Sequence, residues 1–236
     1  MVSVRSDVVV LMCGRDHGSR LTSTAPWVPG VFLPAQPGRA DLDPVIADGP
    51  RRVVVEGDDA DLAAVLVRLL RTERLDIEVA YVAAARRSAA ARAWGLPPGR
   101  AAAALALDGA AAPAPLVRDD LGGVLVGRGE VRAMTGEVYC DEFLVLRGRA
   151  PRLVVVPGPA GVAVRAGRDG RAPDGRLRAV PVRAPAGRGS AAGRAVQLGG
   201  PGFTVMHDGV AHPREVRRWA WYRHTADWLL VRPPAT

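Results

Sequence analysis

Residues 53–60, Val53-Val54-Val55-Glu56-Gly57-Asp58-Asp59-Ala60, and the apolar residues that follow them, Leu62, Val65, Leu66, Leu69 and Leu70, decide the reading of this chain. Three consecutive apolar residues form a short strand of the kind that is buried on both faces. Glu56 to Asp59 then make a tight turn, and the residues after it recur at i, i+3, i+4, i+7 and i+8, the period of an amphipathic helix. Asp58, Asp59 and Asp61 fall at the helix start, where carboxylates complement the positive end of the helix dipole.

The strand–turn–helix unit then recurs. Ile77 to Val82 predicts a second strand, and Ser88 can cap a helix through Ala89, Ala91 and Trp94 that stops at Gly95-Leu96-Pro97-Pro98-Gly99. A further helix is predicted over Arg100 to Leu107. Upstream, Val8 to Met12 reads as a first buried strand, and residues 14–50, rich in Pro, Gly, Ser and Thr, predict one weak strand around Trp27 to Phe32 between irregular connections. Strands alternating with helices imply an α/β domain over residues 1–112, a Rossmann-like open parallel sheet.

After Ala111-Ala112-Pro113-Ala114-Pro115 the helical period disappears. Leu116-Val117, Val124 to Val126, Glu137 to Tyr139, Phe143 to Leu146, Leu153 to Val156 and Val162 to Val164 are short β runs separated by Gly, Pro or Asp-Glu. They predict a β-sandwich or barrel over residues 113–236, with the chain returning to the first domain at its C-terminus. Between Arg165 and Arg194 a Gly/Pro/Arg stretch predicts a mobile loop around one strand. Strands resume from Phe203 to Val231, with Asp208-Gly209 in the position of a two-residue hairpin turn.

Composition excludes some functions. The 236 residues are enough to bury a core, 48% are apolar, and Gly plus Pro falls short of a low-complexity chain. The net charge of +8 suggests nucleic acid, yet every one of the 32 basic residues is Arg and the chain has no Lys and no Asn, the mark of GC-rich codons in a bacterial-type sequence. The pI of 10.9 follows from arginine's high pKa. Residues 1–118 carry +1 and residues 119–236 carry +7, so the excess belongs to the second half, and 147–194 alone holds 11 Arg against Asp169 and Asp174. Nucleic acid is thereby disfavoured. Cys13 and Cys140 lie far apart with no C-x-x-C partner, which excludes a zinc ribbon and a disulfide framework and points to a reducing compartment. No apolar run approaches membrane-spanning length, so a cytoplasmic, soluble or membrane-peripheral protein is expected.

The order of motifs resembles the diacylglycerol kinase and NAD kinase superfamily, in which an α/β half with a strand–G-G-D-G-T–helix element and a G-T-G-N-D loop precedes an all-β half. Val53 to Ala60 resembles the first element, and Ala83-Ala84-Ala85-Arg86-Arg87-Ser88-Ala89 falls where the second loop would be. Ala91-Arg92-Ala93-Trp94-Gly95-Leu96-Pro97 is similar to the family's A-R-x-L-G-L-P. Val205-Met206-His207-Asp208-Gly209-Val210 resembles its V-D-G-E hairpin, and Ala226 to Pro233 its closing strand.

The resemblance implies that Gly57, Asp58 and Asp59 meet a nucleotide with Asp58 on its metal, that Arg86, Arg87 and Ser88 sit by its phosphates, and that Asp208 serves an acceptor hydroxyl. ATP and Mg²⁺ would then be the cofactors. The departures fall on that chemistry. Glu56 replaces the first Gly, Asp59 the third and Ala60 the Thr, and a like-charge contact at about 4 Å costs roughly 4 kcal/mol at an effective dielectric near 20. Val210 replaces the hairpin's Glu. The same residues have plainer readings: Ser88 caps a solvated helix start flanked by Arg86 and Arg87, and Asp208-Gly209 is a turn. His207, His212 and His224, with Cys140, have no H-E-x-x-H spacing to make a metal site of them. Trp219 and Trp221, interleaved with arginines, suit either one buried face of a strand or an anionic surface.

Three expectations follow. The first is a degenerate member of the superfamily, a pseudokinase-type binding or regulatory protein that holds an anionic ligand in a crevice between the halves. The second is a divergent ATP-dependent lipid kinase with Asp208 as general base. The third is an arginine-rich module for anionic membrane or nucleic acid. The sequence gives no ligand identity and no oligomeric state.

Overall fold

The computed structural model describes residues 7–14, 21, 25–167 and 189–234. The chain divides into two compact units, one of Met1–Ala114 with Asp227–Thr236 and one of Pro115–Ala226.

The first unit contains β1 (Val8–Cys13), β2 (Gly30–Leu33), α1 (Arg39–Ala47), β3 (Arg52–Gly57), α2 (Asp59–Arg71), β4 (Glu78–Ala83), α3 (Ala89–Ala93) and α4 (Gly99–Asp108). All pairings among these strands are parallel. β1 lies between β2 and β3, β4 pairs with the other side of β3, and Leu229 and Leu230 add a further parallel strand beside Glu78 and Val79. Val53, Val54 and Val55 are fully buried, as an all-apolar strand covered on both faces should be. Val10, Val54, Ala80 and Ala102, Ala103 and Ala106 of α4 share one core cluster. Leu62, Val65, Leu66 and Leu69 form the buried stripe of α2.

The open parallel sheet expected for this half is therefore present, with two local differences. Glu56 and Gly57 continue β3, and α2 begins one residue after Asp58. Residues 39–47, predicted as irregular, form α1 with Pro44 inside it.

Arg52 holds the far end of this layer together. Its buried guanidinium donates to the carbonyls of Ala106 (2.9 Å), Leu107 (2.7 Å) and Gly109 (2.8 Å), closing the C-terminus of α4, while Nε donates to Glu78 Oε2 at 2.7 Å. The last carbonyls of a helix lack intrahelical donors, and a cation there also meets the negative end of the dipole.

The second unit is all-β and antiparallel. Its elements are the later part of β5 (Ala111–Asp119), then β6 (Val124–Leu125), β7 (Gly129–Cys140), β8 (Phe143–Gly158), β9 (Gly161–Gly167), β10 (Ser190–Gly193), β11 (Ala195–Phe203), β12 (Val205–His207), β13 (Val210–Ala211) and most of β14 (Val216–Val231). The ladder runs β10-β9-β8-β7-β11-β14, and the β12–β13 hairpin pairs with β7. Val131, Met134, Val138, Leu153, Val155, Val164, Val196, Leu198, Trp219 and Trp221 point into one core.

Two separate runs, 143–146 and 153–156, were expected where one sixteen-residue strand, β8, is found. Pro151 does not break it because the register with β9 begins only at Arg152↔Gly167 among the described residues, so Pro151 occupies a stretch with β7 as its neighbour. The mobile loop expected between Arg165 and Arg194 lies, over 168–188, outside the described residues; its ends belong to β9 and β10. Among the described residues no helix is long and apolar enough to cross a membrane.

Candidate functional site

The site predicted in the first unit is built where β3 runs into α2. Gly57 ends the strand, and a Cβ there would collide with the Asp61 carboxylate. Asp61 is buried and takes two backbone donors, the N–H of Asp58 on Oδ2 and that of Gln36 on Oδ1, each at 2.7 Å. Gly57 is thus needed to seat Asp61, and Asp61 fixes the entry to α2. Asp58 is the N-cap residue of that helix and is exposed.

Asp59, the residue standing in the place of a motif glycine, turns toward the start of α3. Oδ1 accepts the hydroxyls of Ser88 (2.5 Å) and Tyr81 (2.9 Å), and Oδ2 accepts the N–H groups of Ala89 (2.7 Å) and Ala90 (3.2 Å). Burial, followed by the nearby Asp59 charge, pushes the Tyr81 phenol far above its ordinary range, so it stays protonated and donates. Ser88 in turn accepts the N–H of Ala91 at 2.8 Å and caps α3 as expected. Four donors thus converge on one carboxylate that belongs to the protein itself.

Arg86 and Arg87 lie in the turn before α3, both exposed and without a hydrogen bond or ion pair to the other described residues. Glu56 is buried at the end of β3. Of the acids in the Glu56–Asp61 segment, Asp58 is therefore the one open to a cation. Mg²⁺ takes one or two carboxylates together with substrate phosphates in near-octahedral geometry. No group of three His, Cys, Asp or Glu residues able to hold a metal occurs among the described residues. A single exposed carboxylate does not make a protein-built Mg²⁺ site.

Asp208 lies in the second unit. Asp208 and Gly209 both have positive φ, +48° and +89°, and form the two-residue turn between His207 and Val210. The Asp208 carboxylate is buried and accepts three backbone donors, Val126 N–H at 2.9 Å and Gly127 and Arg128 N–H at 2.8 Å. Two amides meet Oδ1 and one meets Oδ2, an arrangement that anchors segment 126–128 to the hairpin.

Beside it, His207 Nε2 is 3.3 Å from Asp119 Oδ2 and Nδ1 is 3.6 Å from Asp208 Oδ2. Asp119 is held in place by the N–H groups of Leu121 (2.9 Å) and Gly123 (2.8 Å). Burial works against a charged ring at His207, but the two carboxylates outweigh it and raise its pKa above the ordinary histidine value. Burial likewise works against ionised Asp119, yet His207 and the turn amides hold its pKa below the ordinary range. His212 packs edge-on against Trp219, with ring centroids 5.2 Å apart. Trp219 and Trp221 are both buried on the core side, with Arg217 and Arg218 exposed before them. Sequence reasoning named Asp59, Ser88 and Asp208 and placed Asp61 at the helix start, but missed Tyr81 and Asp119, neither of which lies in a motif position that signals its contacts.

No family model and no curated protein matches the sequence. Solved structures do match. A diacylglycerol kinase from Bacillus anthracis str. Sterne is 11% identical, with a TM-score of 0.68 covering 98% of this chain and 98% of that one. An NAD kinase from Archaeoglobus fulgidus, solved in complex with ATP, is 12% identical, with a TM-score of 0.53 covering 95% of this chain and 93% of that one. At these identities the likeness is one of fold.

Proposed function

From a chain that has the diacylglycerol kinase/NAD kinase-like fold, we propose a degenerate, pseudokinase-type protein with a binding or regulatory role in place of phosphoryl transfer from ATP. The observation that supports this reading is the Asp59 carboxylate. It takes the Ser88 hydroxyl and the N–H groups of Ala89 and Ala90, donors of the type that phosphate oxygens take at such a loop. A nucleotide brought to the same donors would compete with a carboxylate tethered two residues after Gly57, and would meet its negative charge. Asp208, for which the motif resemblance implies the role of base, has its carboxylate accepting three amides, which supports the same reading.

Isothermal titration of the protein with ATP, with and without Mg²⁺, tests the proposal. The expected result is no heat of binding at micromolar protein. Saturable micromolar binding of ATP·Mg²⁺ would overturn it.

A second reading, a divergent ATP-dependent lipid kinase, has one specific feature in its favour: Asp58 is retained and exposed at the start of α2. It predicts transfer of radiolabel from the γ-phosphate of ATP to an extracted lipid, lost in Asp58→Asn. An absence of labelled product across a panel of lipid hydroxyls removes it.

A further inference from the structure

The second unit gathers three guanidinium groups around one buried carboxylate. The Glu130 side chain on β7 is 4% exposed; Arg128 approaches it at 3.0 Å through Nη2, Arg132 at 3.0 Å through Nε, and Arg152 closes the cluster through Nη2. Burial works against the ionised form, but the hydrogen bonds from Arg152 and Arg132 and the charges of Arg128 and Arg152 hold the Glu130 carboxyl below the ordinary carboxylate range. One negative charge therefore faces three positive ones.

The strand register makes the imbalance sharper. Arg132 and Arg152 are directly opposed across the β7–β8 ladder. Like charges at opposed positions of an antiparallel pair repel. Glu130 is opposed to Val154, which is opposed to Arg165 on β9, so a fourth, exposed arginine lies two strands along the same row. The Nε–H of Arg152 is buried and has no acceptor among the described residues. The outer members remain open: the side chain of Arg132 is 81% exposed and that of Arg128 39%. Each guanidinium carries five N–H donors in a fixed fork, and Glu130 cannot engage them all.

We propose that this face of β7, β8 and β9 is a binding site for a phosphate group, with Arg132 and Arg152 as the central donors and Arg128 and Arg165 beside them. Planar guanidinium forks match the oxygen pairs of phosphate, and Arg is the preferred residue for such bidentate recognition. A phosphate monoester, carrying about −1.5 to −2 at neutral pH, balances the residual charge of the cluster; a lone carboxylate does not. The site lies within the second unit and does not depend on whether ATP binds the first.

The test uses the whole chain and two sources of the same chemistry. Inorganic phosphate and phenyl phosphate are titrated calorimetrically at low salt, and co-sedimentation is measured with phosphatidylcholine vesicles containing phosphatidic acid, against phosphatidylcholine alone. Arg132→Gln, an exposed substitution, is expected to weaken binding about tenfold, the effect of losing one charge-assisted hydrogen bond of roughly 1.4 kcal/mol. Arg39→Gln, an equally exposed arginine in the first unit, is expected to change nothing. Response to the soluble phosphates and the vesicles supports a general phosphate site; response to the vesicles alone supports the site and assigns it to lipid headgroups. No response to either source, or a response that Arg132→Gln leaves unaltered, overturns the proposal.

Discussion

Ser88 donates its hydroxyl to Asp59 Oδ1 across 2.5 Å while accepting the N–H of Ala91 at 2.8 Å, so one serine both caps α3 and ties it to the start of α2. The pair joins the loop that opens α2 to the loop that opens α3. It also makes the extra acid at position 59 a structural group: a carboxylate with four donors is well solvated by the protein, and the donors are satisfied without a ligand.

Asp59→Ala should accordingly lower stability. It strips the hydroxyls of Tyr81 and Ser88 and two amides of a charged acceptor at once, and hydrogen bonds to charged groups contribute about 1.5–3 kcal/mol. The expected loss is roughly 2 kcal/mol, because the part-buried α3 end can recover water. Urea denaturation gives the magnitude, and hydrogen exchange at Ala89 and Ala90 gives the location. Unchanged exchange at those two amides would show that the Asp59 contact is not what protects them.

Asp208 offers a parallel case in the second unit. Asp208→Ala leaves the amides of Val126, Gly127 and Arg128 without their acceptor, and each unsatisfied buried donor costs about 1–3 kcal/mol. A fall in the urea midpoint with faster exchange over residues 126–128 is expected. Asp208→Asn, which keeps one acceptor oxygen but brings an NH₂ toward an N–H donor, should lie between Ala and the unaltered protein. A residue acting as a chemical base alone would leave the midpoint where it was.

The difference between what the sequence reveals and what it conceals follows from how far apart the interacting residues are. The β3–α2 unit is legible because Val53 to Leu70 carries its own period and its own turn acids. Helix α1 is not, because Pro44 interrupts a segment already crowded with Gly and Pro. The unity of β8 is hidden for a similar reason: Gly148 and Pro151 look like breaks until the ladder to β7 is known. Asp59 and Ser88 are legible as polar residues beside two loops. Their mutual contact is not, since 29 residues separate them and only the pairing of β3 with β4 brings the loops together. Glu130 and Arg52 give no signal at all, because a single charged residue in a strand reads as a solvated one.

Arg52 shows what that omission hides. Arg52→Met removes the donors for Ala106, Leu107 and Gly109 and one of the two arginine partners of Glu78 in one step. Each carbonyl left without a donor costs about 1–3 kcal/mol, and because Glu78 keeps Arg51 as a partner at 2.7 Å a loss of about 3 kcal/mol, arising mainly at the helix end, is expected by chemical denaturation. Arg52→Lys should recover only part of it, since one ammonium has three donors on a single atom and cannot span three carbonyls and a carboxylate. Full recovery by lysine would mean that charge alone matters at this helix end.

The His207–Asp119 pair predicts a dependence of stability on pH, and its sign can be worked out from the two shifts. His207 has a folded-state pKa above its unfolded value of about 6.5, so its contribution is fully present below that pH and is lost as pH rises through the folded value. Asp119 has a folded-state pKa below its unfolded value of about 3.8, so its contribution is present above that pH and is lost as pH falls through the folded value. Both therefore stabilise the second unit most fully between about pH 4 and 6.5, where imidazolium and carboxylate coexist. Denaturation midpoints measured across this range and up to pH 8.5 should decline on the alkaline side. His207→Gln, which keeps a polar side chain but cannot be charged, should flatten that decline while lowering the midpoint near pH 6. A decline of the same slope in His207→Gln would assign the alkaline loss to other groups and remove this pair as its source.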